Sequence, residues 1–225
     1  MPNSNLPVPL TRFIGREKEI AEVMRLSAQT RLLTLTGSGG AGKTRLALEV
    51  ATRLAASYEL RVAWVEFAPL SDPALVPQAV AQVFDVREST NQPLVQTLVN
   101  YLRLQHCLLI LDNCEHLITA CAHLAQELLQ TCPYLIILAT SREALNVAGE
   151  TAWRVPPLQI LNPKTAITPE ALQTSDSACL FIDRASSIEQ TFAANSSNAN
   201  AIAQICYRLD GMPLAIELAA ARVKS

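Results

Sequence analysis

The chain has 225 residues, half of them hydrophobic and 17% charged, with a formal charge of −2. That is enough apolar material for a full core and a second, smaller domain, while the 18 Lys and Arg form no basic run, which excludes an electrostatic footprint for nucleic acid in this segment. The opening MPNSNLPVPL has neither a basic n-region nor an apolar h-region, and the longest apolar runs, near 107–111 and 134–139, are too short to span a bilayer, so a soluble cytoplasmic protein without a membrane partner is expected.

Apolar runs and helical patterns alternate from residue 31 to about 155. RLLTLT (31–36) reads as a buried strand and GKTRLALEVATRLAAS as the helix after it; RVAWVEF (61–67) is the next strand. Pro73 and Pro77 predict a turn and then a helix over 77–84. The spacing of Leu94, Val95, Leu98, Val99 and Leu102 predicts a helix over 93–104. CLLILD and YLIILAT are near-continuous apolar strands, and between them Leu117, Ile118, Cys121, Leu124 and Leu128 mark a helix. Strands buried on both faces and alternating with helices predict an α/β fold with a mostly parallel sheet covered on both sides.

The pattern changes at PPLQILNPKTAITPE, with four prolines between Pro156 and Pro169. The expected organisation is an α/β domain over 1–155, a proline-rich linker over 156–175 and a helical subdomain over 176–225. In that last part LDGMPLAIEL reads as helix, sharp turn and helix, with Gly211 just past one helix and Pro213 opening the next. The six cysteines lie in apolar contexts and are expected as reduced core thiols. Cys114 and Cys121 fall on one helical face and His116 and His123 nearly opposite, so these four do not converge on a metal.

Three elements carry chemistry. GSGGAGKT (37–44) fits G-x-x-x-x-G-K-[ST] between a strand and a helix, and four of the chain's seven glycines fall inside six of its residues. Such a loop turns successive backbone N–H groups onto phosphate oxygens, and the next helix adds the positive end of its dipole. The phosphate-binding set is therefore Gly37, Ser38, Gly39, Gly40, Ala41, Gly42, Lys43, Thr44 and Arg45. Lys43 supplies a point charge for the β- and γ-phosphates, and the Thr44 hydroxyl is a ligand for Mg²⁺. Asp112 ends the CLLIL strand at the edge where ligands bind in parallel sheets, and its expected role is to hold Mg²⁺ beside Thr44; turns favour Asp as well. At the end of the YLIILA strand, Arg142 in TSRE is either a fork for phosphate oxygens or a surface ion-pair partner. Asn113, the next residue after Asp112, is an amide where a second acid would serve catalysis. Glu115, the nearest remaining carboxylate, is either the base for the attacking water or an acid in a helix's first turn.

Together with RFIGREKEI (12–20) and GMPLAIELAAAR (211–222), these elements resemble the nucleotide-binding module of STAND-class P-loop ATPases, and most closely the NB-ARC-like module of bacterial LuxR/AfsR-type transcriptional regulators. The resemblance implies a P-loop NTPase three-layer sandwich with a central parallel sheet, AAA+/STAND-like, followed by a small helical subdomain. It also implies an extra strand between the glycine loop and the Mg²⁺ aspartate, which 61–67 fits. It places Ile14, Gly15 and Arg16 near adenine and ribose, Arg142 at the γ-phosphate as a sensor, and Pro213 against the base. The implied function is an ATP/ADP switch with slow Mg²⁺-dependent hydrolysis, open and homo-oligomeric with ATP. Sensor and effector functions lie on other domains or proteins. Family members continue into a winged-helix domain whose histidine contacts ADP phosphates; this chain stops at AAARVKS within a helical pattern and has no counterpart of that histidine. Two other readings are a protein-interaction module with a structural nucleotide and a P-loop phosphotransferase, for which neither an acceptor pocket nor a basic lid is visible.

Overall fold

A computed structural model describes residues 4–57, 60–88 and 91–223; the first three and last two residues of the termini lie outside the described residues. The chain divides into two compact units. The first gathers the described residues up to Leu10 with Lys18–Gly37 and Lys43–Arg154; the second gathers Thr11–Glu17, Ser38–Gly42 and the described residues from Val155 on.

The first unit is built on five parallel strands, β1 (Leu32–Thr36), β2 (Arg61–Glu66), β3 (Cys107–Asp112), β4 (Leu135–Thr140) and β5 (Glu150–Arg154), in the order β2-β3-β4-β1-β5. Its helices are α1 (Glu17–Ser27), α2 (Lys43–Ser57), α3 (Val76–Val83), α4 (Leu94–Leu102) and α5 (Ile118–Thr131), with 3-10 turns at Pro73–Leu75 and Cys114–His116. In β3 the alternate residues Cys107, Leu109 and Leu111 enter a core with Val80 of α3, Leu98 of α4 and Leu124 of α5. Leu108 and Ile110 point the other way and are equally buried, while α2 packs across β1 to β4. The strand is apolar throughout because water reaches neither face.

The strand at 61–67 was expected between the glycine loop and Asp112. It lies between them along the chain, but in the sheet β2 is the edge and β4 stands between β1 and β3. The sequence pattern also passes over β5. ETAWR carries no apolar run because β5 is an edge strand, partly exposed along its length and paired on one side with β1. The Glu150 carboxylate holds the turn before it by accepting the N–H groups of Leu145, Asn146 and Val147.

The second unit contains α6 (Pro169–Leu172), α7 (Asp176–Ile188), α8 (Ala199–Arg208) and α9 (Pro213–Ala220). Its core joins Phe181 and Ala185 of α7, Ile202 and Cys206 of α8 and Ile216 and Ala220 of α9. Residues 156–175, read from sequence as a linker, hold α6 and supply Leu158 and Leu172 to this core. Gly211 ends the turn after α8 at φ +66°, and a Cβ there would lie 2.2 Å from the Leu158 carbonyl oxygen, so the turn admits glycine alone. The final helix ends at Ala220, so Ala221–Val223 form a turn where the sequence suggested a continuing helix. Among the described residues, no helix is long and apolar enough to cross a membrane.

All six cysteines are free thiols, five of them buried and Cys179 partly exposed. Burial pushes the Cys107 thiol up to about 12 and the Cys206 thiol up to about 11. Cys114 and Cys121 lie inside, whereas His116 and His123 face solvent. A thiol reagent at neutral pH is therefore expected to modify Cys179 first and the other five only on unfolding. Rapid labelling of all six in the native protein would contradict this core.

Candidate functional site

In the first unit β1 and β3 run parallel through β4, so Thr36 and Asp112 leave the sheet at the same edge. Asp112 is 4% exposed. Its Oδ1 accepts from the Thr44 hydroxyl at 2.8 Å, at the start of α2, and from the Thr140 hydroxyl at 2.6 Å, at the end of β4. Thr140 also accepts the Asn113 N–H at 2.9 Å, so one hydroxyl fixes both the carboxylate and the next peptide. Burial raises the Asp112 pKa, the two hydroxyls partly offset this, and the carboxylates of Glu66 and Glu115 add to the rise. An acid kept in such surroundings suits a cation.

Lys43 is 8% exposed, and its ammonium donates to the Gly37 carbonyl at 2.8 Å. Burial lowers its pKa, Glu115 opposes the shift, Arg142 adds to it and Asp112 opposes it. The chain leaves β3 through Asn113 in the left-handed region, φ +64°, and enters the 3-10 turn Cys114–His116. Glu115 thus lies in a sharp bend rather than in the first turn of a long helix. Its Oε1 pairs with the Arg142 guanidinium at 3.3 Å, while Oε2 is buried with no hydrogen-bond partner in the structure. Arg142 itself has a side chain 68% exposed.

In the second unit Ser38–Gly42 cluster with Thr11–Glu17 and α9. Gly40 and Gly42 take φ +79° and +86°. A Cβ on Gly40 would stand 2.9 Å from the Leu214 Cβ, and one on Gly42 would stand 3.3 Å from the Arg16 Nη1 and 3.6 Å from the Pro213 Cγ. Gly39 is different: nothing lies within 4 Å of a Cβ there, so its backbone neighbours do not demand glycine. Pro213 opens α9, and Ile14 packs on the helical core. Arg45, in the first turn of α2, is half-buried.

Sequence reasoning did not single out Thr140 as a holder of Asp112, nor Asp176, Leu214 and Glu66. Each becomes visible only when distant strands or helices meet.

The profile of the AAA domain family matches residues 26–148, more than half of the chain. The chain belongs to that family. This AAA domain is of the P-loop ATPase type, α/β with a central parallel sheet and helices around it. It is 41% identical over 213 residues to a Mycobacterium tuberculosis protein named only as uncharacterised, covering 95% of this chain and 51% of the relative. It is 44% identical over 202 residues to a second M. tuberculosis protein, provisionally named an HTH-type transcriptional regulator, covering 89% of this chain and 21% of that one. The AAA domain thus spans about half the length of the first relative and about a fifth of the second. Among solved structures, a Signal Transduction ATPase with Numerous Domains, carrying a tetratricopeptide repeat sensor, from Pyrococcus horikoshii matches with a TM-score of 0.55 at 14% identity, over 94% of this chain and 30% of that one. That likeness speaks for the fold.

Proposed function

We propose that this AAA domain is a regulatory module that binds ATP and ADP, hydrolyses ATP slowly with Mg²⁺, and serves as the nucleotide switch of a signalling or transcription-regulating ATPase. The observation that carries the reading is the convergence of Thr44 and Thr140 on Asp112 beside a buried Lys43, with an amide at Asn113 where a catalytic acid would serve turnover. Gly37 to Gly42, Lys43, Thr44 and Arg45 take the phosphates. The family resemblance assigns Ile14 and Gly15 to the nucleoside and Pro213 to the base.

A hydroxyl and a carboxylate oxygen 2.8 Å apart are hard donors that suit Mg²⁺. Mg²⁺ is commonly bound by one or two protein oxygens together with phosphate and water. Thr44 and Asp112 would hold it. When bound, Mg²⁺ neutralises phosphate charge and helps align the terminal phosphoryl group. The chain's own residues do the rest: Lys43 offsets phosphate charge, Arg142 reads the γ-phosphate, and Asn113 orients a water whose proton it does not accept.

The provisional name of the M. tuberculosis relative supports a regulator. Sensor and effector functions would then lie on other segments or partners, in the cytoplasm, with the ATP state assembling into a homo-oligomer.

The test is a melting curve with and without nucleotide. At a hundredfold excess over Kd, ligand adds about 2.7 kcal/mol, and a domain of this size gains about 2–4 °C per kcal/mol. MgATP and MgADP should therefore each raise the midpoint by roughly 5–10 °C. No shift with either nucleotide would overturn the reading. A shift with no hydrolysis on any timescale would favour an interaction module with a structural nucleotide.

A further inference from the structure

Within the second unit, two consecutive carbonyls of the glycine loop are held by donors from elsewhere in the chain. The Gly40 carbonyl accepts the N–H of Leu214, in the first turn of α9, at 3.2 Å. The Ala41 carbonyl accepts Nη2 of Arg16 at 2.8 Å, and the same Nη2 reaches the Pro156 carbonyl at 3.0 Å. In a trans peptide the C=O and the following N–H point in opposite directions. Holding the Ala41 carbonyl toward Arg16 therefore turns the Gly42 N–H away from it. Holding the Gly40 carbonyl toward Leu214 turns the Ala41 N–H back, where it closes a turn on the Ser38 carbonyl at 3.3 Å. The peptide orientations on which a phosphate nest depends are thus set from behind the loop.

Arg16 is itself held in an unusual conformation. It is 4% exposed and has φ +63°, directly after Gly15 at φ +66°. A non-glycine residue stays in the left-handed region only where its surroundings over-determine it. Here the Arg16 N–H donates to Asp176 Oδ2 at 2.9 Å, at the first residue of α7. The Asp176 carboxylate also fills the space that a side chain on Gly15 would need, since a Cβ there would lie 2.2 Å from its Cγ.

We propose that Arg16 is a positioning residue for the phosphate loop rather than a contact for base or ribose, and that Asp176 holds it in the backbone conformation this requires. The inference rests on the nucleotide-binding reading above. Preorganising the loop lowers the ordering cost of binding, so the effect falls on affinity for the phosphates whatever they are attached to.

The experiment is calorimetry on the full chain with MgATP, MgADP and Mg-tripolyphosphate, which lacks base and ribose. Arg16→Ala should weaken all three by a similar factor, about tenfold, as the loss of one charge-assisted hydrogen bond implies. Asp176→Ala should do likewise, and the double variant should lose little more than either single one, because both act through one arrangement. Tripolyphosphate bound by both single variants as tightly as by wild type, with ATP weakened, would place Arg16 at the nucleoside and overturn the proposal. Additive losses in the double variant would break the link to Asp176. Should Arg16→Ala fail to fold, Asp176→Ala, which leaves the guanidinium in place, carries the same comparison. Wild type that binds none of the three ligands would instead overturn the nucleotide reading itself, and this inference with it.

Discussion

Lys43→Ala is expected to weaken MgATP binding by roughly ten- to a hundredfold, since a hydrogen bond to a charged group contributes about 1.5–3 kcal/mol and each 1.4 kcal/mol is tenfold. The lysine is almost wholly out of water, between the pull of Glu115 and Asp112 and the repulsion of Arg142. Its ammonium rests on the Gly37 carbonyl, a neutral acceptor that it can leave for a phosphate oxygen. Loop N–H groups remain in the variant, but they are dipoles against several formal negative charges. Lys43→Arg should restore little, because a planar fork does not follow the path of a flexible ammonium. Calorimetry with both variants, after circular dichroism has shown that they fold, checks the expectation. Unchanged affinity in Lys43→Ala would end the phosphate assignment.

The second large effect concerns turnover. Wild type is expected to hydrolyse ATP well below the ~10 s⁻¹ common among enzymes, since a placed base contributes roughly 10²–10⁴ in rate and Asn113 offers none. Asn113 occupies the left-handed region at φ +64°, a conformation that Asp tolerates about as well as Asn. Asn113→Asp should therefore keep the backbone and raise single-turnover hydrolysis by an order of magnitude or more. Glu115→Gln should leave the slow rate within about threefold, because Glu115 is engaged through Oε1 by Arg142, whose side chain is largely exposed, and an ion pair screened by solvent on one side has little effect. Yet the open Oε2 acceptor of Glu115 is what a base would need, so this variant decides the matter. Fast wild-type turnover abolished by Glu115→Gln would make Glu115 the base and the chain a competent ATPase. Slow turnover that rises with Asn113→Asp would support a site that chiefly holds nucleotide.

The sequence by itself determined what depends on local spacing. The continuous apolar run of CLLIL announced a strand buried on both faces, and β3 is one. The glycine pattern ahead of Lys43 announced a loop between strand and helix, and three of those glycines take positive φ. Gly211 and Pro213 announced a helix stop and start two residues apart, because backbone freedom and a missing N–H act at single positions. Tertiary structure alone decided the rest. Hydrophobic period does not say which strand lies beside which, so 61–67 could be read as a strand but not as the sheet's edge, nor could β4 be placed between β1 and β3. ETAWR was missed because an edge strand takes its stability from pairing with β1 rather than from burial of its own side chains. Thr140 reaches Asp112 from 28 residues away, and Asp176 meets Arg16 across 160. Hydrogen bonds of that kind leave no periodic trace in a sequence, because their geometry exists only once the elements that carry them have packed.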